Sequence, residues 1–204
     1  LGQLKDLSVV TSSQAESIKK SLDNIGAKDN YIQTIQSAAA RKDSLNMTLV
    51  MNLKGAMANM QDDDVQIQVE KGIVMISLSD KMLFKSGSYD ISESASNVLG
   101  KVAQVLNNQP DLEILIEGHT DNVPIVKAGI RDNWDLSALR ATSIARVLQT
   151  KYAINPKRIT AGGKSEFNPL TTNDTAEGRS INRRTRIIIM PQLDQFFKLL
   201  ERKM

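Results

Sequence analysis

The sequence predicts a two-layer α/β sandwich with a mixed sheet of four to five strands, preceded by a long α-helical segment. From residue 65 onward, short apolar runs that alternate like strands are separated by two longer patterns of helical period. Before residue 62 the chain has no proline, tryptophan or phenylalanine and carries apolar residues at helical spacing. We therefore assign residues 1–61 to a helical spacer or oligomerisation segment, 62–191 to the α/β domain and 192–204 to a C-terminal amphipathic helix.

The N-terminal segment carries an apolar stripe with partial coiled-coil spacing. Steps of seven from Ile18 reach Ile25, Ile32, Ala39, Asn46, Leu53 and Met60. Asn46 is the kind of polar residue that fixes register in coiled coils. The stripe predicts either self-association through this helix or packing of the helix on its own domain or on a second helix. Gly26, with Asp29 and Asn30 after it, would allow a break into a helical hairpin.

The α/β domain follows as an ordered series of elements after a solvated linker at residues 62–64. The predicted elements are strands at 65–69 and 73–78, a helix from about 91 to 106, a strand at 112–117, a helix at 134–151, and strands at 158–162 and 184–190. Asp90 and Glu93 form a capping-box-like start to the first of these helices. The polar segment 163–180 predicts a loop with room for a short helix. We expect both long helices to cover one face of the sheet.

Composition excludes several classes of function. The absence of cysteine removes disulfides, thiolate metal sites and cysteine nucleophiles. With His119 as the only histidine, neither a zinc site nor a catalytic triad is expected, and no cofactor is predicted. Aromatic residues make up only 4% of the chain and the positive residues are dispersed, which argues against nucleic acid as a partner. No apolar run approaches the length of a membrane span. Since the chain begins at Leu1, we expect any membrane anchor to lie in a segment absent from it.

The most informative stretch runs from Gly118 to Ala141. An apolar strand ends at Gly118-His119-Thr120-Asp121, and the following helix places Leu136, Arg140 and Ile144 on one line. An arginine on a core-facing line has to be paired or hydrogen-bonded, because an isolated buried cation is very costly. A carboxylate and a guanidinium held in one cleft suit a ligand that carries both an ammonium and a carboxylate. The alternative is a structural salt bridge between Asp121 and Arg140.

The same stretch resembles the OmpA C-terminal-like family, a peptidoglycan-binding domain also found in Pal lipoproteins and MotB motor proteins. The resemblance covers about residues 64–190 and is closest in spelling to the MotB-type branch. Its markers are Leu83-Phe84 with Gly87, the Gly-His-Thr-Asp run at 118–121, the Asn-x-x-Leu-Ser-x-x-Arg-Ala run at 133–141, the segment 159–166, Asn168-Pro169 and Asn182-Arg183-Arg184. One departure is that Thr185 and Arg186 stand where the family usually has a hydrophobic residue and a glutamate.

The resemblance implies a site for diaminopimelate of the peptidoglycan stem peptide. In it Asp121 would accept the ammonium and Arg140 would clamp a carboxylate. The motif positions beside this pair are Thr120, Asn133, Leu136, Ser137 and Arg184. Asn133 is also expected to cap its helix, and Leu136 could equally be a core residue. For Arg183 a solvated side chain is the stronger interpretation.

The implied function is that of a non-catalytic module that anchors a cell-envelope protein to the cell wall. The expected location is the periplasm, with attachment to the outer membrane through a Pal-type lipid anchor upstream of this chain. The alternative is the periplasmic part of a MotB-like stator of an ion-driven motor, held in the inner membrane. A cell-wall hydrolase is a third possibility that no constellation of residues supports.

Overall fold

The computed structural model describes residues 2–58, 64–85 and 87–191. Its first element is helix α1, Gly2–Ala56, which continues through Gly26, Asp29 and Asn30 without the break that the sequence allows. By its internal contacts the chain divides into two compact units, Leu1–Ser44 and Leu45–Met204. Every helix within the described residues is too short or too polar to cross a membrane.

In the part of α1 that belongs to the first unit, the apolar stripe is exposed as far as the described residues show. Ile18, Ile25 and Ile32 are 60%, 54% and 50% exposed. A row of exposed isoleucines at seven-residue intervals is unusual on a protein surface, because each exposed side chain forgoes the favourable free energy of burying apolar area. The stripe is therefore a surface that still lacks a partner among the described residues.

The last turns of α1, by contrast, are part of the core of the second unit. Leu49, Leu53 and Met57 are buried there together with residues of the sheet and of the other helices. Asn46 is also buried, and its Nδ2 donates a hydrogen bond to the carbonyl oxygen of Gly72 at 3.0 Å. The expectation that Asn46 sets a coiled-coil register is wrong, because this side chain satisfies a backbone carbonyl of its own domain.

The second unit contains a five-stranded mixed sheet in the order β1-β2-β5-β3-β4. The strands are β1 Val65–Glu70, β2 Ile73–Ser79, β3 Leu112–His119, β4 Ile159–Gly163 and β5 Arg184–Pro191. All pairs are antiparallel except β3 with β4, which is parallel. The predicted α/β class with a mixed sheet is thus confirmed. The predicted C-terminal helix at 192–204 lies outside the described residues.

Helices α3, Glu93–Asn107, and α4, Asn133–Thr150, supply the layer that covers the sheet. Their buried positions, such as Leu99 and Ile144, form one core with the residues of β3 and β5 that alternate inward, such as Ile116 and Ile187. Both predicted long helices are therefore present and share this core. The N-cap of α3 is Ser92, which accepts a hydrogen bond from the backbone of Ala95, so the capping box predicted with Asp90 is not formed.

Two short helices that frame the site complete the fold. Helix α2, Asp80–Leu83, follows β2 directly and has no counterpart in the sequence-based prediction. Helix α5, Ala176–Asn182, is the short helix expected in the polar segment before β5. Because β2 and β3 are both antiparallel to β5, the carboxyl ends of β2 and β3 meet the start of β5 at one edge of the sheet. This edge carries the candidate site.

Candidate ligand-binding site

A cavity of about 650 Å³ opens where β2 and β3 end and α4 begins. Its lining combines charged side chains with a rim of apolar ones. The lining residues are Asp80, Lys81, Phe84, Gly87, Thr120, Asp121, Val123, Pro124, Ile125, Asn133, Leu136, Arg140, Arg179 and Arg183. The register explains their convergence, since Ser79 and His119 both lie opposite Arg184, so the residues just beyond them meet at the sheet edge.

Arg140 lies at the centre of the cavity wall and is 3% exposed. Its Nη2 is 2.7 Å from Oδ2 of Asp80, and its Nε donates to the carbonyl oxygen of Ser88 at 2.9 Å. The guanidinium carbon lies 5.0 Å from the ring centroid of Phe84, a cation–π distance. The Nη1 atom has no hydrogen-bond partner among the described residues. Arg140 is therefore held on several sides and retains one buried donor.

Asp80 is a site residue that the sequence analysis missed. It is 6% exposed, and its Oδ1 atom has no hydrogen-bond partner in the described part of the chain. Burial raises the pKa of its carboxyl from 3.8 to about 6, although Arg140 and Arg183 act in the opposite direction. The signal that could have revealed Asp80 is the one used for Asp121, an acidic residue directly after an apolar strand.

Asp121 lies in the same cavity as Arg140, but the two are not a salt bridge. The Oδ2 atom of Asp121 accepts a hydrogen bond from Nη1 of Arg183 at 2.6 Å, and its Oδ1 accepts one from the backbone of Val123 at 3.1 Å. The predicted alternative of a structural pair between Asp121 and Arg140 is wrong, because Asp80 takes the position next to Arg140. Arg183, expected to be solvated, is instead 37% exposed at its side chain and ion-paired.

Asn133 joins the loop after β3 to the start of α4. Its Nδ2 is 3.1 Å from the carbonyl oxygen of Val123 and 2.8 Å from Oε2 of Glu166. The expectation that Asn133 caps the helix is wrong, because Asp132 is the N-cap and accepts from the backbone of Asp135 at 3.0 Å. Asn133 thus lines the cavity and fixes its loop.

Thr120 and Leu136 also line the cavity, whereas Ser137 does not. Thr120 Oγ1 is buried without a hydrogen-bond partner among the described residues, and Leu136 is 5% exposed. Ser137 Oγ donates to the carbonyl oxygen of Trp134 and accepts from the backbone of Ser165. A Cβ atom at Gly118 would lie 2.1 Å from the carbonyl oxygen of Ser137, so only glycine fits between strand and helix. Ser137 therefore joins α4 to β3 and to the segment that follows β4.

Arg184 lies away from the other predicted site residues. It is 3% exposed and donates to the carbonyl oxygens of Asn182 and Asn168, each at 3.0 Å. Side chains alternate along a strand, so the residue that turns toward the cavity at this edge is Arg183. The predicted place of Arg184 in the cavity is thus taken by its neighbour.

His119 is buried on the sheet face that points away from the core. Its Nε2 is 3.6 Å from Oε2 of Glu117. Burial lowers the pKa of His119, and the neighbouring His119 imidazole lowers the pKa of Glu117. His119 does not line the cavity. Within the described residues no group of three or more His, Cys, Asp or Glu side chains could hold a metal ion.

The comparisons with known proteins agree with this architecture. The family model described as "OmpA family" matches residues 83–183. Motility protein B of Bacillus subtilis is 34% identical over 119 residues, which are 58% of this chain and 46% of that protein. The chain therefore spans about half the length of this curated relative.

Two solved structures resemble the fold. A MotB-like protein from Desulfovibrio vulgaris superposes with a TM-score of 0.69 at 24% identity, over 75% of this chain and 95% of that one. The cell wall anchor of the T6SS from Pseudomonas aeruginosa superposes with a TM-score of 0.62 at 29% identity, over 69% of this chain and 97% of that one. The first of these likenesses supports the fold alone.

We expect Asp80 to make stability fall as the pH rises through the range from about 4 to about 6. Its pKa is about 6 in the folded protein and 3.8 when unperturbed, so the folded state binds more protons in this window. Replacing Asp80 by Asn should remove this fall in the free energy of unfolding, measured by denaturant titration at several pH values. Asp135→Asn is the matched control, because the ion pair with Arg131 lowers the pKa of Asp135 to about 2, which is below this pH range. An unchanged pH profile in Asp80→Asn would contradict the assignment.

Proposed function

Since residues 83–183 form a domain of the OmpA family, we propose that this protein binds the peptide of peptidoglycan without covalent chemistry and anchors an envelope protein to the cell wall. The proposed ligand group is diaminopimelate of the stem peptide, whose side chain ends in an ammonium and a carboxylate on one carbon. The proposal depends on the chemistry of the 650 Å³ cavity.

One observation carries the proposal. The ion pair of Asp80 and Arg140 leaves one acceptor, Oδ1, and one donor, Nη1, buried without partners among the described residues. An unpartnered buried polar atom costs about 1–3 kcal/mol, so a ligand that satisfies both atoms gains that free energy on binding. A zwitterionic amino-acid head supplies the required ammonium and carboxylate. No apolar ligand and no simple anion would satisfy both atoms.

The contacts of Arg140 limit how it can hold the ligand. Its Nε and Nη2 atoms already donate to Ser88 and Asp80, so Nη1 is the donor left for a carboxylate of the ligand. We propose that this carboxylate accepts a hydrogen bond from Nη1, and that Arg183 and Lys81 are further cations in the cavity wall. A bidentate contact would add the second N–H of Nη2, because Nη2 carries two N–H groups and, among the described residues, contacts Asp80 Oδ2 alone.

The ammonium of the ligand has two carboxylates within the same cavity. Asp121 uses both oxygens within the domain, and an ammonium can share them because each carboxylate oxygen has two lone pairs. Asp80 offers its Oδ1 atom. We propose that the ammonium lies between these two acids, and that Thr120 Oγ1 and Asn133 contribute polar contacts. Ser137 acts indirectly, through its hydrogen bonds with Trp134 and Ser165, and Arg184 lies outside this cavity.

The names of the relatives favour a cell-envelope role. One relative is a motility protein, and one solved neighbour is a cell wall anchor. We propose a periplasmic location, with attachment to the outer membrane through a lipoprotein anchor or to the inner membrane in a MotB-like stator. Because the chain covers 46% of the motility protein, the role in a motor is an alternative that the domain alone supports equally. The first residues of the full gene discriminate between the two anchors.

We propose binding rather than hydrolysis of the cell wall. The only histidine, His119, lies outside the cavity beside Glu117, and the carboxylates in the cavity are ion-paired with arginines. Charged pairs of this kind suit the recognition of a charged ligand. Incubating the protein with purified sacculi and measuring the release of soluble fragments tests for hydrolysis, and release above a heat-inactivated control would contradict the proposal.

We further propose that α1 mediates self-association through the stripe that begins with Ile18, Ile25 and Ile32. These side chains are at least half exposed within one chain and repeat every seven residues, the spacing at which two helices bury their side chains against each other. The partner proposed is a second copy of α1. This association would hold two binding domains together and increase their avidity for a polymer.

Asp121→Asn and Arg140→Lys should each weaken the pull-down of the protein with purified sacculi. Loss of one partner in a desolvated charge contact costs roughly 2–5 kcal/mol, and lysine cannot reproduce the planar fork of arginine. Arg131→Ala is the matched control. Arg131 lies just before α4, forms an ion pair with Asp135 in the first turn of that helix, is itself exposed and does not line the cavity. Binding by both site variants at the level of the control would overturn the site.

The domain should prefer stem peptides with diaminopimelate over matched peptides with lysine. Lysine lacks the second carboxylate, so Nη1 of Arg140 would stay unpartnered at a cost of about 1–3 kcal/mol, or roughly tenfold in affinity. Calorimetric titration with the two peptides measures the difference, and raised salt should weaken the tighter complex because its contacts are ionic. Equal affinities would mean that Arg140 does not contact that carboxylate.

Glutamate at Ile18, Ile25 and Ile32 together should reduce self-association of the full chain, because it places like charges along the proposed helix contact. Sedimentation velocity over a range of concentrations measures the change in mass. Glutamate at Lys20 and Ala27, two residues further on and so on the opposite side of α1, is the control. A monomeric native chain at the highest concentration would contradict the proposal.

A further inference from the structure

A second cavity, of about 380 Å³, lies on the sheet face that points away from the core. It is formed by side chains of β1, β2 and β5 together with α2 and α5 and the loop before α5. The lining residues are Gln66, Ser77, Ser79, Lys81, Leu170, Glu177, Ser180, Ile181, Arg183 and Arg184. The candidate binding site described above does not include this space, although Lys81 and Arg183 line both cavities.

The lining of the second cavity has an excess of positive charge. The lining contains three basic residues, Lys81, Arg183 and Arg184, and one acidic residue, Glu177. Two of the cations have carboxylate partners outside this cavity, since Arg183 pairs with Asp121 and Lys81 Nζ is 3.2 Å from Oδ1 of Asp64. Arg184 is the cation without such a partner.

Arg184 is a buried guanidinium without a counter-ion among the described residues. Its Nη1 and Nη2 atoms donate to carbonyl oxygens, and its Nε atom has no hydrogen-bond partner there. No carboxylate oxygen of the described residues lies within 4.0 Å of Arg184. Burial, and then the charge of Arg186, lower its pKa to about 10, although the more distant carboxylate of Glu117 acts in the opposite direction, so Arg184 is still charged at pH 7. A buried cation in this state is costly, and an anion beside it would offset the cost.

We propose that the second cavity is an anion site that takes a carboxylate or a phosphate group. Arg184 supplies a charge without a salt bridge among the described residues, and its Nε supplies the donor. The hydroxyls of Ser77 and Ser180 and the amide of Gln66 line the same space. An anion fits this combination better than a neutral sugar, because a hydroxyl group would leave the guanidinium without a counter-charge.

The two residues that line both cavities indicate which molecule carries this anionic group. Because Arg183 and Lys81 line both cavities, a ligand held in the first cavity can extend past them into the second. The carrier is therefore a further acidic group of the same cell-wall polymer, and this assignment of the carrier rests on the proposed function. The anion site itself does not, because it follows from the surroundings of Arg184.

The Nε–Hε resonance of Arg184 in the full 204-residue chain tests the proposal directly. At constant ionic strength, titration with acetate or inorganic phosphate should shift this resonance to saturation, and chloride should not. Acetate represents the carboxylate and phosphate the phosphoryl group, so the tighter of the two identifies the source. Arg158 is the internal control, because it is 8% exposed and its Nε and Nη2 atoms donate to the carbonyls of Leu112, Leu106 and Gln109. No saturable shift of Arg184 with either anion would overturn the proposal.

Two variants that leave the first cavity untouched sharpen the test. Glu177→Gln removes the one acidic group of the lining and should tighten anion binding by about threefold. Ser180→Glu places a carboxylate in the cavity and should abolish the saturable shift. If neither variant changes the titration, the anion binds elsewhere and the proposal is wrong.

Binding to sacculi separates this inference from the proposed function. Ser180→Glu should weaken binding to sacculi while its affinity for a short diaminopimelate peptide equals that of the native protein. If the native protein does not bind sacculi and the Arg184 shift is still saturable, the proposed function fails and the anion site stands. If Ser180→Glu binds sacculi like the native protein, the polymer is not the carrier.

Discussion

The buried guanidinium of Arg140 is the constraint on which the site depends. A cation that is 3% exposed has lost its hydration and needs several compensating contacts. The domain supplies Asp80, the carbonyl of Ser88 and the ring of Phe84, which come from α2 and from the segment that follows it. These contacts tie the start of α4 to the end of β2. They do not use all the donors and acceptors, and the remaining pair of atoms gives the cavity its chemical character.

Charge is distributed over the sheet edge so that each acidic residue has a cation beside it, while cations remain in excess. Asp80 pairs with Arg140 and Asp121 with Arg183, and Arg184 next to it has carbonyl partners alone within the described residues. Arg183 lines both cavities, whereas Arg184 lines the second cavity alone. One short stretch of chain thereby contributes to two cavities. This excess of cations across the two cavities is why a ligand that carries several acidic groups suits the whole edge.

In helix α1, apolar residues at one regular spacing are buried in one part of the helix and exposed in another. Leu53 lies on the same seven-residue line as Ile18, yet it is fully buried in the domain core while Ile18 is 60% exposed. The spacing of apolar residues reports which side of a helix is apolar and not what covers it. For the last turns of α1 the cover is the sheet, and Asn46 is satisfied there by the carbonyl of Gly72. For the earlier turns the chain itself supplies no cover among the described residues.

The sequence by itself determined the α/β class, the order of the strands and long helices along the chain, and two of the charged side chains that line the cavity, Asp121 and Arg140. Alternation and helical period are local properties, and an acidic residue after an apolar strand can be recognised without coordinates. The pairing of charges is not local. Asp80 reaches Arg140, and Arg183 rather than Arg184 reaches Asp121, only because both neighbouring strands run antiparallel to β5 in one register. Tertiary structure decided these partners, since a salt bridge depends on distances between atoms that lie far apart in the chain.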